Sequence, residues 1–151
     1  MAEIWLQIDQ HDRDVFVELV DAHARRLDPG DAIGFFECAG ARDSVGYPER
    51  AIQLYLAALE AGLTGDRRRR AIIQLASSLR NLGRPAEAVA LLEAELDEPA
   101  DELTGAIRTF LALALVDMGR EREAVGVALT ALSEYLPRYN RSVARYAQAL
   151  L

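Results

Sequence analysis

The chain has 151 residues, a formal net charge of −7 and one cysteine, Cys38. That length suits one compact domain or one short repeat array, and the acidic balance argues against a surface wrapped around nucleic acid, which needs a positive field to release counterions. A lone cysteine excludes an intramolecular disulfide and a thiolate metal cage.

Helical spacing of apolar residues dominates, as in Ile72, Leu75, Ala76, Leu79 and Leu82, and alternating strand-like runs are nearly absent. The N-terminal MAEIWLQID is too short and too acidic for a signal peptide, and no run of about 18 apolar residues could span a bilayer, so a cytoplasmic protein is expected. Residues 10–29 read as an N-terminal capping helix, with Ala24 in a small-residue slot and Asp28-Pro29 closing it. Helix pairs follow over 31–63, 66–98 and 101–134, the last reached through a long charged connection, LDEPADELTG. RSVARYAQALL carries Val143, Tyr146, Ala147 and Leu150 at helical spacing and is expected to close the array over 139–151, because a stack of repeats exposes its core unless capped. The whole chain, 1–151, is expected to be one all-α domain of roughly eight helices.

A recurring punctuation organises the chain. SVGYPERAIQLYLAAL, NLGRPAEAVALLEAEL and DMGREREAVGVALTAL each read Gly-x-x-x-x-Ala followed by Ile or Val. Gly46, Gly83 and Gly119 are expected to end one helix in the left-handed conformation. Pro48 and Pro85 then fit the first turn of the next helix, where the missing N–H has no intrahelical partner. Ala51, Ala88 and Ala124 place a small side chain where two antiparallel helices must approach closely. The glycine-to-glycine steps are 37 and 36 residues, close to the roughly 34 of a helix–turn–helix repeat.

These residues resemble the tetratricopeptide repeat superfamily, and GLTGDRRRRAIIQLASSLRNLGRPAEAVALL is similar to its bacterial group-5 form. The likeness covers about residues 30 to 150. It implies a right-handed superhelical stack of antiparallel helix pairs, an α-solenoid of about three repeats plus flanking capping helices, with a protein-binding role and no enzymatic activity. In repeat positions, the first repeat supplies Phe35, Cys38, Ala39, Ala51, Tyr55 and Ala58 as core, the second Ile72, Leu75, Ala76, Ala88 and Leu92, and the third Leu111, Ala112, Ala124, Ala128 and Ala131. Arg42, Glu95 and Arg108 depart from the pattern and predict looser packing or a polar contact at each place.

The resemblance also implies that first helices line a concave groove. The expected peptide-binding residues are Arg70, Gln74, Ser77, Arg80 and Asn81 of the second repeat, with Phe36 and Phe110 as apolar walls; Ile33, Glu37, Gly40, Asp43 and Ser44 complete the first repeat's share. Arg70 and Arg80, roughly 15 Å apart on one helix, suit carboxylates or carbonyls of an acidic or extended peptide. Solvated surface arginines paired with nearby carboxylates are the competing reading. A chaperone-type carboxylate clamp is not carried over, since Phe36, Gly40, Gln74, Ala106 and Phe110 occupy its positions.

The run Arg67 to Arg70 opens a helix with Thr64 or Asp66 as N-cap. Successive helical residues point about 100° apart, so only Arg70 is expected to face the groove, with Arg67 and Arg68 paired near Glu60. No aromatic residues interleave with the run, which argues against nucleic acid. His11 and His23, expected to be exposed, lack the Cys or Glu that would complete a metal set, and no hydrolase, zincin or phosphate-loop motif is present. No catalytic residue, metal or cofactor is expected, and Cys38 is expected to be an inert core thiol. The alternatives are a homo-oligomeric assembly module docking through IWLQI or YAQALL, and an accessory segment contacting nucleic acid.

Overall fold

The computed structural model describes residues Met1–Leu151 and contains only helices. They are α1 (Ala2–Trp5), α2 (Arg13–Ala24), α3 (Ala32–Ser44), α4 (Pro48–Glu60), α5 (Gly65–Asn81), α6 (Pro85–Leu96), α7 (Thr104–Asp117), α8 (Glu121–Ser133) and α9 (Asn140–Gln148), with a 3-10 turn at Ile8–Gln10. Nine helices replace the expected eight, the addition being the short α1. The N-terminal capping helix is shorter than 10–29: α2 begins after Asp12 and ends at Ala24, followed by turns in which the Arg26 and Leu27 N–H groups reach the carbonyls of His23 and Ala24. No helix is long and apolar enough to cross a membrane.

The three glycine stops share one geometry. Gly46, Gly83 and Gly119 have φ of 87°, 72° and 72°. In each, the N–H of the following residue reaches a carbonyl five residues back: Tyr47 to Arg42 at 2.8 Å, Arg84 to Leu79 at 2.9 Å and Arg120 to Leu115 at 2.9 Å. The glycine N–H takes a second orphan carbonyl, on Asp43, Arg80 and Val116 respectively. This paired Schellman closure satisfies the helix end and reverses the chain. Pro48 and Pro85 then stand at the first positions of α4 and α6. A Cβ added to Gly119 would meet nothing within 4 Å, so Gly119→Ala isolates the backbone cost. The expected loss is about 1–2 kcal/mol, read as a lower urea midpoint at unchanged m-value.

The chain forms two compact units, Met1–Ser78 and Leu79–Leu151, with the boundary inside α5. In the first, α3 packs on α2 and α4 around Phe16, Val20, Ala39, Ala51, Ile52, Tyr55 and Ala58, all at 2% exposure or less. In the second, α7 packs on α6 and α8 around Leu92, Ile107, Ala114 and Leu115, and α9 closes on α8. Gly126 is what admits α9, since a Cβ there would stand 3.1 Å from the Ala147 carbonyl oxygen. The expected core positions are buried, except that Phe35 and Cys38 are half-buried and Ala128 is exposed, α9 approaching over Gly126 instead.

The departures from the repeat pattern become polar contacts. Arg42 binds Asp21 through two 2.9 Å bonds, Arg108 pairs with Glu134, and Glu95 is buried yet engaged. The long connection is held by a turn in which the Asp101 N–H donates to Thr104 Oγ1 at 2.8 Å and the Leu103 N–H to Asp101 Oδ1 at 2.8 Å.

Candidate functional site

On α3, residues 36, 37, 40 and 44 fall on one helical face, and on α5, residues 67, 70 and 74 do the same. The first unit brings the two faces together around a cleft of about 330 Å³, lined by Phe36, Glu37, Gly40, Ser44, Arg67, Arg70 and Gln74, with Met1, Ala2 and Trp5 along its rim. The expected peptide-binding residues Phe36, Arg70 and Gln74 meet here, together with Glu37, Gly40 and Ser44 of the first repeat's expected share. The Arg70 guanidinium lies 5.4 Å from the centre of the Phe36 ring and 3.8 Å from the Asp66 carboxylate one turn earlier. Arg70 stays half-exposed, free to exchange that surface ion pair, which is worth little. Gln74 Oε1 is buried with no hydrogen-bond partner. An unmet acceptor of this kind costs about 1–3 kcal/mol, and an N–H from a bound molecule would satisfy it.

The arginine run is distributed differently from the expectation. Arg67 lines the same cleft as Arg70, because i and i+3 share a face. Arg69 is buried at 5% exposure, and both it and Arg68 are engaged in contacts. The helix begins at Gly65, so Asp66 is a first-turn residue, where its charge complements the helix dipole, and Thr64 stands before the helix.

Ser77 is half-buried and stands next to the first unit's last residue, Ser78. Arg80 and Asn81 belong to the second unit, where Arg80 is bound to Asp117 and Asn81 is exposed. Phe110 is half-buried on α7, beside the outward-facing Leu113 and Val116, 43% and 49% exposed. Asp43 does not line the cleft. It lies inside the packing of α3 on α4 and α5, accepting from Ser78 Oγ at 2.7 Å and Tyr55 Oη at 3.4 Å. Burial raises its pKa above the usual carboxylate value, although both hydroxyl bonds pull the other way. The Tyr55 hydroxyl is also pushed up, by burial and then by the Asp43 charge.

Trp5 was not legible as part of this site. Its indole N–H donates to Glu37 Oε2 at 2.8 Å, its ring meets Phe16 edge-on at 5.3 Å, and two ring carbons lie 3.4 Å from where a Cβ of Gly40 would stand. A glycine in a helix interior marks close approach of another group, and Gly40 was the available signal. Met1, Ile4, Trp5 and Ile8 pack on Phe16, Val20, Ala41 and Val45. The apolar N-terminus is therefore seated on its own chain.

A second cleft, about 370 Å³, lies between α2 and α3 and is walled by Ala24, Leu27, Phe35, Cys38 and Leu54 beside the Asp21–Arg42 pair. Burial, then hydrogen bonding to Asp21, pushes the Cys38 thiol up to about 12, so it is not a thiolate nucleophile at neutral pH. His11 and His23 are half-buried rather than exposed: His11 Nε2 lies 3.3 Å from Gln7 Oε1 and His23 Nε2 lies 3.4 Å from the Met1 amine. No group of three His, Cys, Asp or Glu is placed to hold a metal ion.

A family model described as Tetratrico peptide repeat, of the group-5 form, matches residues 32–150. No curated relative and no solved structure matches the chain.

Proposed function

Since this chain belongs to the tetratricopeptide repeat family, whose members serve in general as protein-interaction scaffolds, we propose that it is a non-enzymatic module that binds an extended, acidic peptide segment on its first-helix faces, and that residues 1–151 work as one array. The cleft of the first unit is the primary site. The observation that carries this reading is the buried, unpartnered Gln74 Oε1 beside two arginines and an aromatic floor. Gln74 accepts a peptide N–H, Arg70 and Arg67 take carboxylates or carbonyls, and Phe36 supports the guanidinium of Arg70. Ser77 adds to this face of α5, and Arg80, Asn81 and Phe110 are proposed as peptide contacts within the second unit. Of these, Arg80 contributes least, because it must first leave Asp117.

An array of acidic decapeptides read by fluorescence polarisation tests this. Peptides that bind the wild type are expected to lose at least tenfold in affinity to Arg70→Ala/Gln74→Ala and less to Arg80→Ala. Equal affinity for wild type and the double variant removes the site.

Self-assembly is the second reading. It rests on the exposed Leu132, Tyr135, Tyr139, Tyr146 and Leu151 of the second unit, at 49%, 69%, 78%, 61% and 57% exposure. Light scattering that shows a monomer at high concentration removes it.

A further inference from the structure

We propose that residues Met1–Gln10 are a resident occupant of the α3 face, and that this face fits a short apolar segment presenting a tryptophan to the Glu37 carboxylate. The proposal rests on the reading of that face as a binding surface and concerns how it is kept covered.

The segment is the less buried side of this contact. Beneath the segment, Phe16 and Val20 are fully buried and Ala41 is at 0% exposure. None of residues 1–11 is buried, and Leu6 is 80% exposed. The helix in the segment is four residues long and has no side-chain cap. One turn of helix has little stability of its own, so α1 owes its form to the surface it lies on. The segment thus covers apolar side chains of α2 and α3 while staying largely exposed itself.

The recognition is specific to an indole. Gly40 leaves room for the flat ring: a Cβ there would already touch two ring carbons at 3.4 Å, so anything bulkier would crowd the indole. Glu37 accepts the indole N–H at 2.8 Å, and the edge of Phe16 completes the seat. A phenylalanine would lack the donor for Glu37, and a side chain larger than alanine at position 40 would push into the ring's place. The occupied seat opens directly into the cleft that holds Arg70 and Gln74, whose rim Trp5 forms. A partner running along α3 therefore meets Trp5 first and must displace it, while the vacated seat exposes Phe16 and needs a replacement.

Trp5 is the only tryptophan, so its emission reports the seat in the full chain. A fluorescein-labelled peptide of residues 1–10, MAEIWLQIDQ, is titrated into three full-length proteins: wild type, Trp5→Ala, and Trp5→Ala/Gly40→Leu. The expected result is at least tenfold tighter binding to Trp5→Ala than to wild type, abolished by the added Gly40→Leu. Equal affinity for wild type and Trp5→Ala, or no binding to a Trp5→Ala chain that retains wild-type circular dichroism, overturns the proposal. Should Trp5→Ala fail to fold, Glu37→Ala decides: Trp5 emission shifts to the red and iodide quenching rises, whereas unchanged emission and quenching overturn it. An acidic peptide that binds wild type and Trp5→Ala alike leaves the Arg70–Gln74 site standing and ends the resident-occupant reading alone.

Discussion

Tyr55→Ala is expected to destabilise the protein by about 3–5 kcal/mol, the range for deleting a large buried ring, read from the urea midpoint. Tyr55 is fully buried, its ring lies 6.4 Å from that of Phe36, and its hydroxyl donates to Asp43. Truncation removes the ring and one of two donors to a carboxylate that burial already disfavours. Asp43 can be examined separately. Its folded pKa is raised above the unfolded value of about 3.9, so the folded state holds the proton more tightly than the unfolded one. The associated stability is present below the unfolded value and is lost as pH rises through the folded value. Asp43→Asn keeps an acceptor for Ser78 and should abolish that fall, leaving a chain at least as stable as wild type at pH 7. Asp43→Ala instead strands the fully buried Ser78 hydroxyl, at a cost of about 1–3 kcal/mol.

Arg42→Ala has the second largest expected effect, and its pH signature has the opposite sign. Burial pushes the Asp21 carboxyl up, but the Arg42 hydrogen bonds and charge outweigh it and leave the pKa below the ordinary value. The stability from this pair is present above about pH 4 and is lost as pH falls through the lowered folded pKa. Breaking a fully buried pair costs roughly 3–5 kcal/mol. Here the side chains are 18% and 25% exposed, so about 2–3 kcal/mol is expected after discounting for solvent screening. The loss should shrink in acid, where Asp21 is protonated. Asp21→Leu/Arg42→Leu should recover most of it, since apolar replacement removes the desolvation cost of both ions. Urea unfolding of the three proteins at pH 7 and pH 3 checks the sign.

The two carboxylates show where sequence reading stops. Both sit in helices with unremarkable local patterns. Arg42 announced a polar contact by standing where an aromatic side chain belongs, and the contact is present. Asp43, one residue on, belongs to the groove by its repeat position. Its side chain turns instead to Ser78, 35 positions later. Helical phase gives the direction of the Cα–Cβ bond; the end of a polar side chain goes where a buried hydroxyl meets it.

Local chemistry alone determined the helical architecture, the three Schellman stops at Gly46, Gly83 and Gly119, the prolines at helix starts, and the buried alanines five residues after each glycine. These follow from conformational preferences within a few residues and from a spacing of 36 or 37, so they are written in consecutive letters. Only the tertiary structure decided that Arg67 joins Arg70 on the cleft, that Arg69 is buried, that Arg80 is held by Asp117, and that Trp5 lies against Gly40. Each of these depends on which surface another segment brings near. That is set by the summed burial of many side chains far apart in the chain, a balance that no short stretch of sequence contains.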